Sequence, residues 1–196
     1  MALAYLFFGR SGCGKGTQAK LLIEYLEKQG RKTLYVETGA GLRKLIEDPS
    51  YTSRLTKETL GRGALCPSFQ PIWIWSGFFI DNFTGQEDLV LDGVCRKLPE
   101  AMAMAGALDF YGIKNCHIIL INVSNEWSMK HLLARGRAID DTEEKIQRRL
   151  GWFDEEVMPA IEYLKKNMPC RFHDVNGEQT IPEVWAEISQ KVFDEK

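Results

Sequence analysis

The sequence predicts an α/β fold: a five-stranded parallel sheet with helices on both faces. Two observations carry this. Strand-like and helix-like runs alternate from one end to the other, and each strand run is apolar throughout instead of at every second position. At 196 residues and 44% hydrophobic content, the chain has enough apolar surface for one such core.

The elements follow in order. Leu3 to Phe8 reads as a fully buried strand. Gly14 to Gln29 reads as a helix, with Ala19, Leu22, Ile23 and Leu26 at helical spacing and Gly30 as its stop. "KTLYVET" is a second strand. Between about residues 38 and 85 the pattern changes to a short helix ("LRKLIEDP"), a second helix-like run, a proline-bearing loop ("GALCPSFQP") and the aromatic stretch "IWIWSGFFI". This segment reads as an inserted helical subdomain within a single 1–196 domain, with Trp73 and Trp75 packing inside it. "EDLVLDG" returns to a buried strand. "PEAMAMAGALDFYG" is a helix with Pro99 in its first turn and Gly112 past its end. "CHIILINVS" is another strand and Asn125 to Ala134 a helix. After the break "RGRAIDD" comes one long charged helix from Asp141 to about Lys166, then the strand "CRFHDVNG" and a closing helix from Ile181 to Phe193.

Composition excludes several classes. The net charge of −2 gives no footprint for nucleic acid or a membrane surface. The five cysteines, Cys13, Cys66, Cys95, Cys116 and Cys170, are scattered and odd in number, without a Cys-x-x-Cys pair. They read as reduced thiols, with neither a zinc knuckle nor a disulfide framework. The opening apolar run is far shorter than a membrane span and lacks a basic flank, so a soluble cytoplasmic protein is expected. His117, His131 and His173 have no metal-ligand spacing and read as core or surface residues.

The first strand stops at "GRSGCGKGTQ". Gly9-x-x-x-x-Gly14-Lys15 between a strand and a helix is a phosphate-binding loop. Glycines let successive backbone N–H groups turn inward around an anion, and the following helix adds its positive end. Lys15 supplies a mobile charge for the β- and γ-phosphates, and Thr17 a hydroxyl for phosphate or a magnesium shell.

The residue after Lys15 is Gly16, and the hydroxyl comes one place later. "GKGTQ" so placed resembles the adenylate kinase family of nucleoside monophosphate kinases. "TGAGLR" (Thr38 to Arg43) is similar to that family's Thr-Gly-x-x-x-Arg element, "GALCP" (Gly63 to Pro67) to its acceptor-base loop, and "LDGVCR" (Leu91 to Arg96) to its Leu-Asp-Gly-Phe-Pro-Arg element. "RGRAIDD" with "TEEKIQRRL" resembles the lid and the helix after it, and "DVNG" (Asp174 to Gly177) the loop beside the donor base.

The resemblance implies site residues. ATP would lie against Gly12, Cys13, Gly14, Lys15, Gly16, Thr17, Arg135 and Gly177. AMP would lie against Thr38, Gly39, Arg43, Ala64, Leu65, Gly93, Arg96, Glu100, Arg137 and Arg149. Lys15, Arg96, Arg137, Arg149 and Asp92 would carry the chemistry, and Asp140 and Asp141 would close the lid. Mg²⁺ would come with ATP, held by nucleotide phosphates and water with Thr17 and Asp92 nearby. A monomer acting on small nucleotides is implied. Arginine suits such work because its planar fork binds phosphate oxygens two at a time. Arg148 could instead form an ordinary helix ion pair with Glu144.

The departures bear on function. The lid, about residues 135–141, is too short for the β-rich flap of longer members, so no zinc is expected. Cys95 replaces a proline, Ala40 stands where aspartate is common, and Glu100 falls where a glutamine reads the acceptor base. An ionised glutamate only accepts hydrogen bonds, which suits guanine better than adenine. Equally, a glutamate after Pro99 could be a helix-start charge facing solvent. AMP is the expected acceptor. GMP, CMP or UMP, and a nucleotide-binding module without catalysis, are the alternatives.

Overall fold

The computed structural model describes residues 2–136 and 142–194. Five parallel strands, β1 (Ala4–Phe8), β2 (Lys32–Glu37), β3 (Glu87–Asp92), β4 (Cys116–Asn122) and β5 (Cys170–Asn176), form one sheet in the order β2-β3-β1-β4-β5. The side chains of β1 explain the continuous apolar run. Ala4, Leu6 and Phe8 enter one core, and Tyr5 and Phe7 enter another on the opposite face. The second core is closed by α1 (Lys15–Lys28) and α9 (Ile181–Ser189). The first is closed by α4 (Phe69–Asn82), α5 (Leu98–Phe110) and α8 (Met158–Asn167).

Between β2 and β3 lie α2 (Thr38–Leu45), α3 (Tyr51–Gly61) and α4. The aromatic stretch is helical, and its buried residues, Trp75 and Phe79, stand four apart in the main core. Trp73 is 63% exposed, against the expectation that both tryptophans pack inward. A period of 3.6 cannot turn residues two apart to the same side.

α6 (Asn125–Arg135) precedes the undescribed segment and α7 (Glu143–Trp152) follows it. The single long helix expected from 141 to 166 is instead α7, a wider π-type turn over Phe153–Val157, and α8. Pro159 explains the interruption: it has no N–H to bond back to the preceding turn.

The cysteine expectation also needs correcting. Cys116 and Cys170 are joined in a disulfide, while Cys13, Cys66 and Cys95 are free and buried. Parallel pairing of β4 with β5 sets these two residues opposite each other, with Cα atoms 4.5 Å apart. Their separation of 54 positions gives no hint of that register. The same two strands bring His117 and His173 together, both buried, with Nδ1 and Nε2 3.0 Å apart. His131 is exposed, its ring nitrogen 2.8 Å from the Trp127 carbonyl. Among the described residues no helix is long and apolar enough to cross a membrane.

Candidate active site

Strand order reverses at β1, with β3 on one side and β4 on the other, so a crevice opens beyond its C-terminal end. The glycine loop fills that place. Gly9, Gly12 and Gly14 have φ of +143°, +85° and +95°, the left-handed region that side chains resist. At Gly9 a Cβ would also lie 2.4 Å from the Ile121 carbonyl oxygen, and at Gly12 3.0 Å from Leu132 Cγ of α6. The loop is therefore wedged between β4 and α6. Lys15 donates to the carbonyls of Gly9 (2.9 Å) and Arg10 (3.0 Å), folded over the loop it would leave to meet phosphate. Cys13 is buried beneath, Gly14 is α1's N-cap, and Thr17 is exposed in the first turn.

Asp92 ends β3 beside that turn. A Cβ on Gly16 would stand 3.1 Å from Asp92 Oδ2, which accepts a hydrogen bond from the Tyr35 hydroxyl (3.2 Å). Burial raises the Asp92 carboxyl above its ordinary pKa, with Lys15 pulling it back. An acid held this way gains from any added cation.

Beside the loop lies a cavity lined by Thr38 and Arg43 of α2, Gly63 to Cys66, Gly93, Arg96, Glu100, Arg149 and Trp152. It gathers nine of the residues implied for the acceptor: Thr38, Gly39, Arg43, Ala64, Leu65, Gly93, Arg96, Glu100 and, from α7, Arg149. Thr38 Oγ1 is buried without a hydrogen-bond partner. Arg96 donates from Nε to the Gly93 carbonyl (3.0 Å), and its guanidinium lies 5.9 Å from the Trp152 ring centre. Gly93, Arg96 and Trp152 also line the smaller cavity that holds Gly9, Ser11 and Lys15. The two cavities thus meet at Arg96.

Glu100 is only 2% exposed, so it is not a solvent-facing charge. Its Oε2 accepts from the Arg96 backbone N–H at 2.9 Å. Burial raises its carboxyl pKa, against the pull of that hydrogen bond and of Arg96 and Lys97. Cys95, in the family's proline position, has φ +56°, which a proline ring cannot adopt. A proline at this position would force the loop between β3 and α5 onto another path.

Arg135 ends α6 and Gly177 follows β5, and neither lines these two cavities. Gly177 packs on β4, donating to the Asn122 carbonyl at 2.8 Å, where a Cβ would meet Val123 at 2.5 Å. Arg137, Asp140 and Asp141 fall outside the described residues. Arg148 pairs with Glu144 at 2.6 Å, as helix spacing allows, and reaches the Arg62 carbonyl. Four neighbours of the site escaped sequence reasoning. Glu37 bonds Arg43 at 2.6 Å, Tyr35 bonds Asp92, Trp152 donates to the Gly63 carbonyl, and Arg10 anchors the loop from outside. Only Arg10 had a signal, a charge inside the glycine motif.

A glycine cradle at the switch point of a parallel sheet, beside a second arginine-lined cavity, defines a phosphate-loop fold. Residues 7–168 match the family model described as adenylate kinase. The chain is 30% identical to an adenylate kinase of Flavobacterium psychrophilum over 195 residues, covering 95% of this chain and 96% of that one. It is 28% identical to adenylate kinases of Azobacteroides pseudotrichonymphae, over 94% of both chains, and of Bacteroides fragilis, over 97% and 98%. The chain belongs to the adenylate kinase family.

Proposed function

We propose that the protein transfers the γ-phosphoryl group of ATP to AMP, forming two ADP, with no covalent enzyme intermediate. The observation that carries this is the shared wall of the two cavities, where Arg96 faces both the phosphate loop and the acceptor pocket. Phosphoryl transfer asks chiefly for in-line positioning and charge neutralisation, and two polyanions can approach only across fixed cations.

In this reading the loop's N–H groups and Lys15 hold the donor β- and γ-phosphates. Arg43 and Arg96 grip the acceptor phosphate, with Thr38, Ala64, Leu65 and Glu100 around its base. Arg135 covers the donor nucleotide, Arg137 and Arg149 hold phosphate between donor and acceptor, Asp140 and Asp141 close the lid, and Gly177 lies beside the donor base. Mg²⁺ on ATP neutralises phosphate charge when bound. Asp92, a buried carboxyl beside Gly16 at the start of α1, fits the water shell of such an ion. The segment 38–85 acts as the acceptor subdomain and 135–141 as a short lid excluding water. We further propose a cytoplasmic monomer that needs no zinc.

GMP is the second reading, favoured by the buried carboxyl of Glu100 in the acceptor cavity. A coupled assay of ATP with AMP, GMP, CMP and UMP decides. Turnover greatest with AMP supports the proposal, and GMP turnover without AMP turnover replaces the acceptor. No turnover with any of the four overturns the catalytic reading.

A further inference from the structure

The second residue of the glycine loop is an arginine, and its guanidinium is fully engaged outside the phosphate cradle. Arg10 Nη2 donates to both carboxylate oxygens of Asp154, each at 3.0 Å. Nε donates to Asn125 Oδ1 at 2.9 Å, and Nη1 lies 3.5 Å from the Val123 carbonyl. The guanidinium also lies over the Phe153 ring, 4.6 Å from its centre, and the side chain is only 16% exposed. Three nitrogens spread over three partners, with the planar face against a ring, is a geometry that lysine's single ammonium cannot copy.

The partners define what is being joined. Asn125 is the first residue of α6, the arm that leads into the lid at Arg135. Phe153 and Asp154 open the π-type turn that ends α7, the arm that returns from it. The next loop residue makes a second tie, since Ser11 Oγ accepts from Arg149 of α7 at 3.1 Å. Two consecutive loop residues thus hold the start of α6 and the end of α7.

We propose that Arg10 is a positioning residue: it fixes the phosphate loop to the start of α6 and the end of α7 and so holds the loop's backbone N–H groups in aim at the donor phosphates. The inference rests on reading the glycine loop as the donor site. Asp154 is 62% exposed, and an ordinary surface ion pair of that kind would leave kinetics unmoved. Here the loop's backbone N–H groups depend on the tie for their aim, and small misplacements of such groups are costly in rate.

The test is steady-state kinetics and thermal midpoint for Arg10→Ala, Arg10→Lys, Asp154→Asn and the Arg10→Ala/Asp154→Asn double variant. Arg10→Ala should raise KM for ATP by about five- to tenfold and lower kcat by at least about fivefold, with KM for AMP within about twofold. Asp154→Asn should shift the same parameters by less, and Arg10→Lys should recover under half of the loss. The double variant should be no worse than Arg10→Ala alone, because the two residues act as one unit. Unchanged KM for ATP, equal rises in both Michaelis constants, or additive effects would overturn the proposal. Should Arg10→Ala fail to fold, the near-isosteric Asp154→Asn decides by the same ATP-against-AMP split. An inactive wild type would instead fault the donor-site reading itself.

Discussion

Replacing Glu100 by glutamine should change which base the protein accepts, and the structure says by how much. Glu100 Oε2 is held by the Arg96 N–H at 2.9 Å, so Oε1 is left for the cavity. Ionised, Oε1 only accepts. It can take adenine's amino proton but faces the adjacent ring nitrogen lone pair against lone pair, whereas guanine offers two donors there. In Glu100→Gln the Arg96 N–H selects the amide oxygen, which turns Nε2 into the cavity as a donor toward adenine's ring nitrogen. Adenine's ring nitrogen gains a donor for the amino contact it loses, while guanine's two donors lose their acceptor and face a donor, a difference of about 1–3 kcal/mol. The ratio of kcat/KM for AMP over GMP should therefore rise about tenfold or more in the variant. Proton uptake should mimic the mutation. Burial raises the Glu100 pKa, so as pH falls toward it the protonated carboxyl gains an O–H that can donate to adenine. The wild-type AMP:GMP ratio should climb as pH is lowered from 8, and the ratio of Glu100→Gln should stay level. The assay is competition of the two monophosphates for limiting ATP, read by chromatography at several pH values. A ratio within about twofold of wild type at every pH would refute the reasoning and reduce Glu100 to the tie that starts α5.

Lys15→Met should lower kcat by about a hundredfold or more, since charge stabilisation at the transferring group is usually the largest catalytic contribution. Its thermal midpoint should fall only slightly, by the two loop-carbonyl hydrogen bonds lost, as calorimetry would register. Arg96→Ala should raise KM for the monophosphate more than for ATP and also cut turnover, and equal effects on both would count against its acceptor role. Two adenosines joined by five phosphates should bind far more tightly than ATP or AMP in calorimetry, because adjoining cavities make the second contact intramolecular. Stability should depend on pH through His117, whose pKa burial beside His173 pushes down to about 4. The unfolded chain protonates near 6.5 and the folded one does not. This contribution is therefore complete above about pH 6.5 and is lost as pH falls toward 4, by about 3 kcal/mol in all. Urea titrations should show that slope, and His117→Gln should flatten it.

Local signals carried the architecture and the phosphate loop. An apolar run followed by Gly9-x-x-x-x-Gly14-Lys15 specifies its own backbone, because only glycine takes positive φ cheaply and the lysine stands next to the helix that follows. The ends of α1, β3 and α5 were legible for the same reason: glycine, proline and hydrophobic period act over a few residues. Long-range pairing was not legible. The Cys116–Cys170 disulfide and the His117–His173 contact exist because β4 and β5 lie side by side in one register, which no spacing in the chain encodes. Arg10 went unread although it is a charge among glycines, because its partners Asn125 and Asp154 lie 115 and 144 positions away. Glu100 shows the division most directly. The sequence marks it as a carboxylate at a helix start, and both a solvent-facing charge and a base reader satisfy that pattern. Only packing of α5 against the loop before it removes water from the carboxyl and ties one oxygen to the Arg96 N–H at the wall of the cavity. Burial is a property of the assembled layers, and so is the chemistry that depends on it.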